Sequence, residues 1–259
     1  MSEIKPKGRI ELSLLTTAIV SLTFTEYSFA FLDPALGIFS ALISVTILYL
    51  ALSLFRGIRS IVRETVEVIC LIQLYILLIS SLPWFFISQS LLIPATYSIL
   101  LALCLWYVKG SSITSEELGF KSASSRYVIL AFTVGIPLGT VEFLILRPPP
   151  PTPTFSIPYL LEMALYMFLF VGFGEELLFR GILMTNLEKY MNPRLALILQ
   201  SLIFAILHIT WRSLTQIFFV FIAGLIFGLL FKMSRSLIPP TIAHGVGNIM
   251  LINILPFMM

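Results

Sequence analysis

The sequence predicts an all-α protein, a polytopic transmembrane helical bundle of about eight or nine spans. Two observations carry this prediction. Of the 259 residues, 58% are hydrophobic and only 11% are charged, a composition far from that of a soluble domain. The apolar residues also form blocks of about 18 or more, each long enough to cross a hydrocarbon core of roughly 30 Å as a helix. Because lipid cannot satisfy open backbone groups, these helices should pack as a bundle.

Nine apolar segments are candidates for the spans. Only Asp33 and Pro34 separate the first two, so eight spans with one re-entrant or tilted piece is an alternative. The nine run from Ile10 to Phe31, Ala35 to Phe55, Val66 to Phe85, Ser90 to Val108, Tyr127 to Leu146, Pro158 to Tyr190, Pro193 to Thr210, Leu214 to Phe231 and Leu237 to Leu255.

Basic residues indicate the orientation of the bundle. They concentrate in alternate connections, as the positive-inside rule expects of nine spans with a cytoplasmic N-terminus. The opposite connections carry only Arg147 and Arg212. A net charge of +3 without a basic stripe does not indicate a nucleic-acid partner. The basic positions are the N-terminus, Arg56, Arg59, Arg63, residues 109–126, Lys189, Arg194, Lys232 and Arg235.

We expect one integral membrane domain in two parts. Residues 1–157 form N-terminal transmembrane helices and loops, and residues 158–259 form the helices with the candidate catalytic residues. The proline-rich run from Pro148 to Pro153 between them favours a stiff, extended connector. Cys70 and Cys104 lie in separate apolar blocks, which predicts small buried residues rather than a disulfide.

A group of ionisable residues lies deep in the long segment that begins at Pro158. Glu176 and Arg180 are four residues apart, so they share a helix face and can neutralise one another. Glu175 points about 100° away around the helix, toward other polar groups of the interior. By contrast, we expect the carboxylates of Glu26, Glu142 and Glu162 to reach water, because each falls near a predicted helix end.

Both histidines of the chain lie in later apolar spans. Asn248 follows His244 by four residues, so the two side chains project from one helix face. Asn192 is a predicted N-cap of a tight hairpin. Glu175 and His208 lie roughly 25 Å along the two helices from that hairpin, so they should face each other.

These groups suit hydrolysis by activated water. A carboxylate beside an imidazole in a low-dielectric site can hold a water molecule and accept its proton. His244 and Asn248 can stabilise an oxyanion. A zinc site formed by His208, His244 and a glutamate is an alternative, although the HExxH signature is absent. We otherwise expect no cofactor.

At these residues the sequence resembles the type II CAAX prenyl endopeptidases, also called the CPBP or ABI family of intramembrane proteases. The family pattern is EExxxR, FxxxH and HxxxN on successive helices. This chain has Glu175-Glu176-Leu-Leu-Phe-Arg180, then Phe204-Ala-Ile-Leu-His208, then His244-Gly-Val-Gly-Asn248.

The resemblance implies a multi-pass intramembrane endopeptidase whose partners are the lipid bilayer and a peptide or prenylated protein C-terminus. It implies that Glu175 and His208 activate water and that His244 and Asn248 form the oxyanion hole. Glu176, Arg180 and Phe204 would support the site. The best-known family members remove the last three residues of prenylated CAAX proteins. The alternatives are a non-catalytic membrane partner, such as a bacteriocin self-immunity factor, and a proton-relaying transporter.

Overall fold

The computed structural model describes residues 6–55 and 57–258, so Arg56 and the extreme N-terminus, two of the basic positions above, lie outside the described residues. The described residues form nine helices and no strands, which confirms the all-α prediction. The helices are α1 (Pro6–Phe31), α2 (Pro34–Leu54), α3 (Ser60–Ser80), α4 (Leu92–Gly110), α5 (Ser125–Leu146), α6 (Ile157–Tyr190), α7 (Pro193–Ile206), α8 (Leu214–Ser234) and α9 (Ile238–Phe257).

Seven of these helices are long and apolar enough to cross a membrane by length and composition. The other two are α7, which has 14 residues, and α3, which has 21 residues but carries charges in its first turns. The first two predicted spans are separate helices rather than one re-entrant piece. Asp33 caps α2, since its carboxylate accepts a hydrogen bond from the Ala35 amide at 2.6 Å.

Two predicted spans have different limits. The predicted third span, Val66 to Phe85, begins at Ser60 and ends at Ser80 as α3. The early start is possible because Arg63 donates to the carbonyl of Leu52 at the end of α2, and the early end precedes Pro83. The predicted span from Pro193 to Thr210 ends at Ile206, where the chain tightens into a 3₁₀ turn, Ile209–Trp211.

One end of the bundle gathers most of the ion pairs; we call it the basic end. It contains the starts of α1 and α3 and the ends of α2, α4, α6 and α8. Its pairs are Arg59 with Glu11, Lys189 with Glu117, Lys121 with Glu116, and Lys232 and Arg235 with Glu188. Hydrogen bonding to Lys189 holds the pKa of Glu117 below its ordinary value. The opposite end contains the turn at Asp33, the loop with Trp84 and the turn with Trp211.

Helices α5 and α9 pack very closely through Gly135 and Gly139, which form a GxxxG spacing. A Cβ atom at Gly139 would lie 2.3 Å from the carbonyl oxygen of Gly247, and one at Gly135 would lie 2.6 Å from that of Ala243. Both contacts are with backbone, which cannot move aside. We call this contact the glycine seam. It fixes α9, which carries His244 and Asn248, against α5.

Helix α6 is not a uniform α-helix. Short α-helical stretches alternate with two π-helical ones, Met167–Gly172 and Leu177–Met184, and Glu175 and Glu176 lie between them. π-helical insertions rotate the side chains that follow and are frequent at functional sites. The irregularity therefore coincides with Glu175, Glu176 and Arg180, of which the last two are fully buried.

Candidate active site

A buried ionic cluster lies at the centre of the bundle. The Glu176 carboxylate oxygen Oε1 accepts hydrogen bonds from Arg180 Nη1 and from His244 Nδ1, each at 2.9 Å. The side chains of Glu176 and Arg180 are both 0% exposed. The ion pair expected from their spacing is therefore present, and it extends to a histidine on another helix.

Aromatic rings surround the Arg180 guanidinium. Its carbon lies 4.7 Å from the ring centroid of Phe204, 5.4 Å from that of Phe227 and 5.9 Å from that of Phe179. Nη2 also donates to the carbonyl of Gly224 on α8 at 3.0 Å. Cation–π contacts and a charge-assisted hydrogen bond thus replace the water that a cation loses on burial.

Glu175 points away from this pair, into a different environment. Its Oε1 accepts a hydrogen bond from the Tyr97 hydroxyl of α4 at 2.6 Å. Its Oε2 lies 3.9 Å from His244 Nε2. The two neighbouring glutamates therefore face opposite nitrogens of one imidazole, with Glu176 in hydrogen-bond contact and Glu175 further off.

His208 follows the end of α7, in the turn rather than inside the helix as the sequence predicted. Its Nδ1 lies 2.8 Å from the carbonyl oxygen of Phe204. A carbonyl can only accept, so the proton of the ring is on Nδ1 and Nε2 is left as a basic nitrogen. Phe204 also packs its ring on His208, with centroids 4.9 Å apart. These two contacts fix both the tautomer and the orientation of the imidazole.

Glu175 and His208 line the same cavity, as the hairpin geometry predicts. Asn192 caps α7 by accepting from the Arg194 amide at 2.8 Å, so the predicted hairpin is also present. The cavity has a volume of about 520 Å³ and is bounded by α1, α3, α4, α6 and the turn after α7. Trp84 and Trp211, both exposed, flank it at the end opposite the basic end.

A second, small cavity of about 40 Å³ lies behind His208. His208, His244, Asn248 and Glu142 all line it, and its volume is sufficient for water. The Asn248 side chain makes no hydrogen bond to any part of the chain that the structure describes. The structure thus brings all four candidate catalytic residues to two adjoining cavities that share His208.

Two residues of this region were not anticipated from sequence. Glu142 was expected to reach water at a helix end, but it lies in the small cavity and accepts a hydrogen bond from Gln216 of α8. Its spacing from the end of α5 could be predicted from the sequence, but its contact with Gln216 of α8 could not. Tyr97 offered no signal beyond being one of nine tyrosines.

Within residues 6–55 and 57–258, no group of three or more His, Cys, Asp or Glu side chains is arranged to hold a metal ion. Cys70 and Cys104 are free and buried, as the sequence predicts. The zinc alternative stays a prediction.

Comparisons with known proteins agree with the motifs. Residues 157–250 match the family described as type II CAAX prenyl endopeptidase Rce1-like, which confirms the resemblance over this region. The uncharacterized protein YpbD of Bacillus subtilis (strain 168) is 33% identical over 92 residues, which are 35% of this chain and 42% of that protein. The chain thus matches less than half the length of this curated relative. No solved structure matches the chain.

Proposed function

We propose that this chain, which carries an Rce1-like type II CAAX prenyl endopeptidase domain at residues 157–250, is an intramembrane endopeptidase that uses activated water. The observation that carries the mechanism is the fixed tautomer of His208. With Nδ1 bonded to the Phe204 carbonyl, Nε2 can accept a proton inside the cavity that Glu175 also lines. Water held between Glu175 and His208 would lose its proton as it attacks a peptide carbonyl.

The oxyanion formed by this attack needs hydrogen-bond donors to stabilise it. Asn248 supplies amide N–H groups toward the small cavity. His244 already donates from Nδ1 to Glu176, so Nε2 can donate only when the ring carries both protons. The carboxylates of Glu175 and Glu176 are close enough to balance that charge. We propose that His244 acts as this cationic donor and Asn248 as the neutral one.

We assign a supporting role to three residues, Glu176, Arg180 and Phe204. Glu176 orients His244, Arg180 neutralises Glu176, and Phe204 holds both His208 and the Arg180 guanidinium. None of the three borders the large cavity. Their contribution is therefore positioning rather than chemistry, and no cofactor takes part in the mechanism.

The large cavity suits an apolar substrate. Leu100, Leu178, Phe179 and Ile72 are among its walls, and about 520 Å³ is within the range of lipid-sized or drug-sized ligands. By resemblance, the C-terminal tripeptide of a prenylated protein is the leaving fragment that we would test first.

We also propose a cytoplasmic N-terminus, because the basic end would then face the cytoplasm. The tryptophan-flanked opening would face the other side. Single cysteines introduced by Ser122→Cys at the basic end and Thr154→Cys in the proline-rich connection test this. An impermeant maleimide applied to intact cells should label Thr154→Cys alone, and labelling of Ser122→Cys alone would reverse the orientation.

The experiment for the activity is cleavage of a fluorogenic farnesylated CAAX peptide by the purified full-length chain. Glu175→Gln and His208→Ala should each lower turnover by about 10²–10⁴, the usual contribution of acid–base groups. Glu162→Gln is the matched control, since Glu162 lies on the same helix but outside both cavities.

Three outcomes would contradict the proposal. Full activity of Glu175→Gln would exclude the glutamate mechanism. Loss of wild-type activity with a zinc chelator, restored by added zinc, would favour the metal-dependent alternative. If the wild-type chain cleaves neither prenylated nor unmodified peptides, a non-catalytic role such as self-immunity becomes the better hypothesis.

A further inference from the structure

The large cavity contains a second carboxylate that the hydrolytic mechanism does not use. Glu26, on α1, lines the cavity together with Glu175 and His208. Only 5% of the residue is exposed. Within the described residues Glu26 makes no hydrogen bond and no ion pair. It also lies outside residues 157–250, the region matched to the family.

An unpaired carboxylate in such surroundings is costly. Burial removes the water that solvates it, so the group stays ionised only if a hydrogen-bond donor or a cation replaces that water, and otherwise it takes up a proton. The neighbouring walls are apolar, with Phe29, Ile72 and Ile76 among them. A hydrophobic side chain would fit this wall better. Glu26 therefore lacks a structural explanation within the described chain.

The charged residues that line the cavity indicate which kind of ligand would complement Glu26. Two carboxylates, Glu26 and Glu175, line it, and no lysine or arginine does. Arg180 is close in sequence to Glu175 but is fully buried on the other side, where it is paired with Glu176. The cavity thus carries two carboxylates in a mostly apolar lining, which is complementary to an apolar ligand that carries a positive charge.

We propose that Glu26 binds a cationic side chain of the substrate, the ammonium of a lysine or the guanidinium of an arginine within an apolar peptide segment. The proposal rests on the proposed function, since it takes the occupant to be a peptide. The long methylene stem of either residue would pack on the apolar wall while its charged end reaches the carboxylate. Glu26 would then be a specificity-determining residue, separate from the residues that activate water.

The first test is binding, which does not require turnover. Two short leucine peptides blocked at both ends, one with a central lysine and one with a central glutamine, are titrated into the full-length chain in nanodiscs of zwitterionic lipid. Binding is followed by the fluorescence of the tryptophans at the cavity mouth. The wild-type chain should bind the lysine peptide at least about tenfold more tightly, as expected for a buried charge pair.

Variants identify the carboxylate responsible. Glu26→Gln should reduce the lysine preference to about one, while Glu162→Gln should keep it. Glu26→Asp retains the charge but shortens the side chain, so it should retain part of the lysine preference. This variant keeps the proposal testable if Glu26→Gln fails to fold. Equal binding of both peptides by the wild-type chain, or an unchanged preference in Glu26→Gln, would overturn the proposal.

Cleavage separates this proposal from the proposed function. Fluorogenic versions of the two peptides are compared by kcat/KM. Cleavage of both at equal rates would leave the protease in place and refute the role of Glu26. A lysine preference in binding without any cleavage would support Glu26 and contradict the protease.

Discussion

The chain places its ion pairs in two contrasting settings, the basic end and the buried cluster around Glu176. At the basic end the pairs are partly open to solvent, with Lys189 33% and Arg59 59% exposed in their side chains. In the buried cluster both partners are 0% exposed. Exposed pairs contribute little to stability, whereas a buried pair leaves a large penalty when one partner is removed. Ion pairs of the same residue types therefore contribute little to stability at the basic end. In the buried cluster, by contrast, the loss of one partner is strongly destabilising.

The largest effect is expected when the buried cluster is broken on one side. Arg180→Ala leaves Glu176 buried without its cation and should cost about 3–5 kcal/mol of stability. Unfolding of the purified chain by increasing SDS in mixed micelles measures this.

A paired substitution sharpens the interpretation. Arg180→Met combined with Glu176→Gln removes both charges and should recover most of the stability, because the two side chains remain similar in size. Activity should stay low, since His244 loses the carboxylate partner of Nδ1. A double variant no more stable than Arg180→Ala would show that the ion pair is not the source of the loss.

The next largest effect is expected on the rate of catalysis, with little change in stability. Asn248→Ala should lower kcat by about 10²–10³, the scale of one oxyanion donor. The Asn248 side chain makes no hydrogen bond within the described residues, so unfolding should change little. A parallel loss of stability and activity would instead place Asn248 among the structural residues.

The smallest effect is expected at the basic end. Lys189→Ala should change stability by less than about 1 kcal/mol near neutral pH. The folded-state pKa of Glu117 is lowered, so this pair stabilises the fold above the ordinary value of 4.5 and the contribution is lost as pH falls through the lower, folded-state pKa. The difference between wild type and variant should therefore shrink as pH falls below 4.5, and it should also shrink in 1 M salt.

The features that depend on spacing along one or two helices could be predicted from the sequence. Helical periodicity and rise predicted the hairpin at Asn192, the pairing of Glu176 with Arg180, and the similar depth of Glu175 and His208, which line one cavity. The order of motifs also sufficed to assign the family of residues 157–250. These features require only distances along one or two helices.

Features that depend on packing between distant helices could not be predicted from the sequence. Glu26 and Glu142 were both expected to reach water, because a sequence gives the distance to a helix end but not what covers that end. In the structure Glu26 is buried and Glu142 borders the small cavity. The end of α7 before His208 and the π-helical stretches of α6 likewise arise from contacts that sequence spacing does not encode.

The glycine seam between α5 and α9 has a mechanical consequence. Because backbone meets backbone there, α9 cannot shift or rotate without moving α5, so the helix that carries His244 and Asn248, the proposed oxyanion donors, is held rigidly. None of the residues that line the large cavity belongs to α5 or α9, whereas α1 and α3 border it through half-buried side chains such as Phe29, Tyr75 and Ile79. We therefore expect widening of the cavity for a substrate to move α1 and α3 and to leave α9 in place.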